Sequence, residues 1–195
     1  PNADRIMFWD DSAGTVTWLT AGTGLSITGT TIDAAGGGGL TLGTDTATTS
    51  GASVSLTSIP SGVKQITVSW RDGSNGGGTI GLQIGDSGGL ETSGYVGSTT
   101  VILAAPTVTR TAWSTQVNVI PATAGATVHQ MSATLTLMNA SSNKWFITMN
   151  SSSTTNNEMS IGVGYKSLSA TLDRVAILSN SGSFDAGSIN IAYGS

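Results

Sequence analysis

One serine lies in a glycine-rich loop of the kind that can present a nucleophile. It is Ser87, within Gly85-Asp86-Ser87-Gly88-Gly89. A serine attacks a substrate only when a base removes its proton and a carboxylate orients that base. The chain has a single histidine, His129, and it follows the serine in the sequence.

This loop matches the segment around the nucleophile of trypsin-like serine proteases, but the rest of that pattern is missing. In that family the histidine and the orienting aspartate both precede the serine, and disulfides hold the fold, whereas this chain has no cysteine. Glycine and aspartate cluster wherever strands reverse. We therefore interpret Gly85 to Gly89 as a turn and expect no catalytic residues. Hydrolysis of a polysaccharide by two carboxylates that only the fold would bring together stays open.

A second cluster has oxygen ligands in a short space. Asp72, Ser74 and Asn75 lie in a glycine-rich segment and resemble half of a calcium loop,. The bidentate glutamate that would complete such a loop is missing, so a turn built on Asx side chains is favoured. His129 alone makes no transition-metal site. No metal or other cofactor is predicted.

Aromatic side chains beside polar loops could stack on sugar rings. Trp70 is in phase with Ile66 and Val68, which favours a place in the core. Tyr95 and Trp113 lie outside clear alternation, so core and surface positions are both open for them. Trp9, Trp18 and Trp145 lie in strand patterns and are expected to pack. The candidate receptor-binding residues are Arg71, Asp72, Asn75, Tyr95 and Trp113.

The composition indicates an all-β fold. Only 9% of the residues are charged and 38% are hydrophobic, while threonine, valine and isoleucine suit pleated strands. Apolar residues alternate with polar ones between Gly/Ser/Asn clusters, which is typical of a β-sandwich or jelly roll. The expected strands include 66–70, 80–84, 117–120, 133–138, 145–149, 174–178 and 188–193, with a turn at 72–78.

Charge and hydropathy exclude two classes of partner. The net charge is −4, with seven Lys and Arg, so the cationic stripe that neutralises phosphates is missing and nucleic acid is not an expected partner. No apolar run approaches the roughly 20 residues of a membrane-spanning helix, so no membrane insertion is expected.

The chain divides into two predicted parts. Residues 1–35 read as a β-hairpin with a third short strand, too small to bury its three aromatics alone. Residues 36–39 are a glycine linker, and residues 40–195 form the sandwich domain,.

Three stretches carry a family resemblance. Asp4 to Ser12 with Gly22 to Ile27 resembles a short module that precedes the distal domain in bacteriophage tail-fibre and tail-spike proteins. Gln83 to Tyr95 resembles a signature inside the C-terminal domain of fibre-like proteins of marine phages. Ser167 to Val175 with Phe184 to Ile191 resembles the ending of that domain.

The resemblance implies the receptor-binding C-terminal region of a tail fibre, exposed on the virion as a homotrimer beside other virion proteins. Such a tip would bind a host-surface glycan or an outer-membrane receptor during adsorption, and the polar loops favour the glycan. It implies no catalytic residues. A capsid-decorating or head-fibre structural protein would have the same composition and remains the alternative.

Overall fold

The computed structural model describes residues 6–19, 25–28, 31–34, 39–103, 107–120, 127–153 and 157–195. Most of the predicted glycine linker and parts of the N-terminal module lie outside these residues. The chain divides into two compact units, Pro1–Gly39 and Leu40–Ser195. Every element in the described residues is a β-strand, and every pairing between strands is antiparallel, which confirms the all-β prediction.

The first unit contains two small sheets of two strands each. Strands β1 (Ile6–Asp10) and β2 (Thr15–Leu19) form the expected hairpin, and β3 (Leu25–Thr28) pairs with β4 (Thr31–Ala34). The Asp10 carboxylate closes the hairpin turn, because its Oδ1 accepts hydrogen bonds from the Ser12 amide (3.0 Å) and hydroxyl (2.6 Å).

The second unit consists of two sheets that are consistent with a β-sandwich. Its strands are β5 (Thr41–Leu42), β6 (Thr46–Ala47), β7 (Ser53–Leu56), β8 (Gln65–Asn75), β9 (Ile80–Asp86), β10 (Gly89–Leu90), β11 (Tyr95–Ile102), β12 (Val108–Ala112), β13 (Val117–Ile120), β14 (His129–Asn139), β15 (Lys144–Ser153), β16 (Glu158–Ser167), β17 (Arg174–Ser179) and β18 (Phe184–Gly194).

The larger sheet has nine described strands and the smaller has five. The larger follows the order β12-β11-β16-β15-β14-β8-β18-β5, with β6 also paired to β18. The smaller follows β10-β9-β17-β7, with β13 paired to β9. The chain therefore passes several times between the two sheets.

The core lies between these sheets and follows the predicted alternation. On β8, the side chains of Ile66, Val68 and Trp70 are all buried, which confirms the prediction for this strand. On β9 the apolar face is confirmed too, but the intervening residues are also buried. Strand β9 is thus covered on both faces, and the Gln116 side chain lies against Gly81 there.

Two buried tryptophans have the same hydrogen-bonding arrangement, in which a threonine hydroxyl links the indole to a backbone carbonyl. The Trp70 Nε1 donates to the Thr48 hydroxyl (2.9 Å), which donates to the Ala186 carbonyl (2.9 Å). The Trp113 Nε1 donates to the Thr99 hydroxyl (2.8 Å), which donates to the Asn118 carbonyl. Each threonine satisfies an indole N–H that burial would otherwise leave unpaired.

Trp113 also needs glycines beneath its ring. It follows β12 of the larger sheet and precedes β13 of the smaller one, so it lies where the chain crosses between the sheets. Added Cβ atoms at Gly97, Gly162 and Gly164 would all crowd the indole. The ring therefore lies directly on the backbones of β11 and β16.

Trp9 and Trp18 are 59% and 54% exposed in the single chain, so their expected packing stays a prediction. One prediction from the sequence needs correction. The expected turn at 72–78 is shorter than predicted. Strand β8 continues to Asn75 through register shifts, and Asp72 takes a left-handed φ of 49° there.

We predict that Gly164→Ala destabilises the protein by about 1–3 kcal/mol, because the new methyl group would overlap the Trp113 ring and the Val96 carbonyl. Urea unfolding followed by tryptophan fluorescence measures the change. Gly76→Ala is the control, since nothing lies within 4 Å of a Cβ at that position. Equal stability of the two variants would contradict the packing of Trp113 on glycine.

Candidate functional site

Arg71 lies in an open groove on the outer face of the larger sheet, which we call the Arg71 groove. Its guanidinium Nη2 donates to Asp45 Oδ2 at 2.6 Å and to the Ser188 hydroxyl at 3.1 Å. The side chains of Arg71 and Asp45 are 59% and 42% exposed. The groove has a volume of about 440 Å³ and is lined by Leu42, Asp45, Ser69, Arg71, Asn190, Ile191 and Ala192.

Asp72 extends this polar surface beside Arg71. Its Oδ1 accepts a hydrogen bond from Gln130 Nε2 (2.6 Å), and its backbone amide donates to Gln130 Oε1 (3.2 Å). The two contacts fix an exposed carboxylate and an exposed amide in one orientation. Left-handed backbone at a non-glycine residue costs free energy and is often retained at binding sites.

A second groove adjoins the first and has no charged side chain in its lining. We call it the Tyr193 groove, and its volume is about 450 Å³. It shares Leu42 and Ile191 with the Arg71 groove. The rest of its lining is Gly43, Thr44, Thr46, Ser55, Leu56, Thr57, Ser58, Ile59 and Tyr193. Hydroxyl groups, aliphatic chains and one aromatic ring thus face the same space, and Ser58 has a left-handed φ of 65°.

The other three candidate receptor-binding residues are buried. Asn75 donates to the Gly77 carbonyl (2.9 Å) and to Ser179 Oγ (2.8 Å). The Tyr95 hydroxyl accepts from the Ile84 amide (2.8 Å) and donates to the Ile84 carbonyl (3.2 Å). Burial raises the pKa of Tyr95 above its usual value. These side chains and Trp113 support the fold, and only Arg71 and Asp72 of the five are presented to solvent.

The Gly85–Gly89 segment forms the β9–β10 hairpin turn, as predicted from the sequence. Gly89 pairs with Asp86 across the β9–β10 hairpin, and Asp86 Oδ1 accepts from the Gly88 amide at 2.8 Å. Ser87 is exposed on the tip, whereas His129 is buried in the other sheet. Among the described residues nothing hydrogen-bonds the Ser87 hydroxyl, so the geometry of an activated nucleophile is not formed.

Carboxylates tie this turn to the segment after β16. Asp86 Oδ2 accepts from the Ser169 hydroxyl at 2.6 Å, and Glu91 Oε1 accepts from the Ser169 amide at 2.6 Å. The Ser169 hydroxyl and the Gly88 amide lower the pKa of Asp86. Burial raises the pKa of Glu91, but hydrogen bonds from Lys166 and Ser169 together outweigh it and lower the pKa. The buried Lys166 ammonium is thereby neutralised by Glu91.

His129 and Glu158 form a second buried polar pair. His129 Nδ1 lies 4.0 Å from Glu158 Oε1, beyond hydrogen-bond range, and His129 Nε2 has no partner among the described residues. Burial lowers the pKa of His129 to about 4 and raises the pKa of Glu158. The histidine is therefore neutral at physiological pH.

Among the described residues, no group of three or more histidine and acidic side chains lies close enough to hold a metal ion. In the same residues the structure has no helix that could cross a membrane. Comparison of the chain with protein-family models, curated proteins and solved structures gives no match.

Several groove residues were not identified from the sequence. Asp45 lies between β5 and β6, whereas Asn190 and Tyr193 lie on β18. Only the pairing of β18 with β5, β6 and β8 brings these two segments together near Arg71. The sequence pattern at 188–193 predicted a strand, but it did not predict which other strands pair with it.

We predict that acid destabilises the protein partly through His129. The pKa of His129 in the folded protein is about 4, below the usual 6.5. The neutral histidine therefore makes its full contribution to the free energy of unfolding above pH 6.5. This contribution falls by up to about 3 kcal/mol as the pH falls towards 4. The raised pKa of Glu158 has the opposite effect on stability, because this carboxyl group takes up a proton more readily in the folded protein than in the unfolded chain as the pH falls,. The measurement is therefore the difference in unfolding free energy between wild type and His129→Gln at pH 7 and pH 5. A difference that does not change with pH would contradict this prediction.

Proposed function

We propose that this chain is the receptor-binding tip of a bacteriophage tail fibre and attaches the virion to its host during adsorption. The Arg71 groove is the observation that carries the proposal. It combines a guanidinium, a carboxylate, an amide and a hydroxyl at the surface of a rigid sheet, beside the aliphatic side chain of Leu42. Binding sites commonly pair such an apolar wall with a few converging polar groups.

The ligand class that fits best is a host-surface glycan. Sugar hydroxyls both donate and accept hydrogen bonds, so they can use the Arg71 guanidinium together with the Asp72 carboxylate and the Gln130 amide. The adjoining Tyr193 groove offers hydroxyls and an aromatic ring to a neighbouring sugar unit,. An outer-membrane protein receptor would use the same exposed groups and is the second possibility for the partner.

In this proposal the protein is a virion-exposed homotrimer, and the N-terminal unit contributes to the association. Met7 pairs with Trp18 and Trp9 with Val16 across the hairpin, so these four side chains share one face, and all are more than half exposed. A two-stranded sheet is marginally stable alone. Burial of this face against other copies of the unit would stabilise it.

The same exposed hairpin face supports the alternative of a structural protein that decorates a phage capsid. The hairpin would then be an anchor in another virion protein. Co-sedimentation with empty capsids distinguishes the two functions, because a tail-fibre tip is not expected to bind the shell.

We predict that Arg71→Ala weakens staining of host bacteria by the labelled full chain at least tenfold, since truncating a hot-spot residue costs about 2 kcal/mol or more and about 1.4 kcal/mol is tenfold. Stability is expected to change little, because the Arg71–Asp45 pair is exposed,. Flow cytometry on a panel of marine bacteria measures the binding, and thermal unfolding measures the stability.

Lys64→Ala is the matched control, because it removes one exposed positive charge outside both grooves. Equal losses of staining in the two variants would show a general charge effect and would contradict a site at Arg71. Failure of the wild-type chain to stain any strain that its phage infects would contradict the proposed function itself.

A further inference from the structure

Strand β16 places its apolar side chains outside and its polar ones inside. Met159, Ile161 and Val163 are 43%, 51% and 50% exposed. The alternating positions that face the sandwich interior are Glu158, Ser160, Gly162, Gly164 and Lys166. A strand with one solvated face normally shows the opposite pattern. Its outward face therefore has the composition of a buried surface.

The neighbouring strands extend this surface in register. Ile102 on β11 lies opposite Met159 on one side and opposite Val108 of the edge strand β12 on the other. Residues directly opposite in an antiparallel pair point to the same face of the sheet. The apolar face, as we call it, consists of Val96, Ile102, Val108, Met159, Ile161 and Val163, all of them exposed.

The rest of the same sheet surface is different. Outward positions of β14 include Gln130, Ser132, Thr134 and Thr136, and those of β15 include Thr148, Asn150 and Ser152. Other exposed apolar side chains of this sheet, such as Met138 and Leu42, lie on β14 and β5. The six residues of the apolar face are instead grouped on three adjacent strands. Six adjacent, largely half-exposed aliphatic side chains reach the upper part of the roughly 300–600 Å² that the largest patch of a monomer usually has.

We propose that the apolar face is an interface between copies of this chain. The face is built on three adjacent strands and carries no carboxylate among its outward residues, while Arg110 lies on the same side at the edge strand. An exposed aliphatic surface without carboxylates is matched by another aliphatic surface, and the same face of a second copy provides one.

The size of the apolar face agrees with a second copy of the chain as its partner. A stable interface buries about 800 Å² on each partner, with an apolar centre and a polar rim. The apolar face supplies most of the centre, where Ser98 and Thr100 lie between Val96 and Ile102 on β11. Thr148 and Asn150 of β15 border the face on its other side. The interface is separate from both grooves, so it does not depend on the proposed receptor.

The test measures the native mass of the full chain by sedimentation in a background that removes the other exposed apolar surface. That background is Trp9→Ser/Trp18→Ser, which makes the hairpin face polar. We expect the background variant to sediment as a multiple of 19.5 kDa and the addition of Ile161→Asp to convert it to monomer. The conservative pair Ile161→Thr/Val163→Thr should raise the dissociation constant at least tenfold while keeping good strand formers.

The control is Thr136→Asp, which adds the same charge to an exposed outward position of the same sheet and should leave the mass unchanged. Circular dichroism and cooperative melting show that each variant is folded. A background variant that is monomeric would overturn the proposal, since the apolar face would then not hold copies together. The proposal would also be overturned if the multimer persisted both in the Ile161→Asp variant and in the Ile161→Thr/Val163→Thr variant.

Discussion

The structure depends on the packing of Trp113 against glycine backbone. Its ring lies where the chain passes from one sheet to the other, and its indole N–H is satisfied through Thr99. Because an indole is thick, the strands below it can carry no side chain there, and Gly162 and Gly164 fill those positions of β16. At these two positions the inward face of the strand has no side chain, while Met159, Ile161 and Val163 lie outward. The packing of Trp113 thus joins the sheets at the strand that also carries half of the exposed apolar face.

In the sandwich, the residues that stabilise the fold are different from those proposed to bind other molecules. Most of its tryptophans, together with Tyr95 and Asn75, are buried and hydrogen-bonded to backbone or to small hydroxyl side chains, so they fix the sheets in one arrangement. The groups proposed to make contacts lie in the two adjoining grooves and on the apolar face. The grooves near Arg71 and Tyr193 have the polar chemistry that a glycan would need, whereas the apolar face has the chemistry of a contact between protein surfaces. In the proposed fibre tip, the grooves would bind the receptor and the apolar face would bind other copies of the chain.

The sequence predicted the fold class and the central strands, because the alternation around Trp70 and Ile84 reflects burial on one side of a sheet. It failed for residues whose environment depends on distant segments. Tyr95 and Trp113 could not be assigned, since a hydroxyl bonded to Ile84 and a ring over Gly164 leave no periodic signal. The alternation of Met159, Ile161 and Val163 was visible, but the rule that apolar residues face the core would have placed them inside. Asp45 and Asn190 approach Arg71 only through the register of β18.

The central claim, that the outward face of β16 is covered in the assembled protein, is tested most directly by methionine oxidation. Met159 lies in the apolar face and Met138 lies near the end of β14, and they are 43% and 59% exposed in the single chain. With limiting peroxide and peptide mass spectrometry of the native full chain, the account predicts that Met159 oxidises several-fold more slowly than Met138. Similar initial rates for the two residues would contradict it.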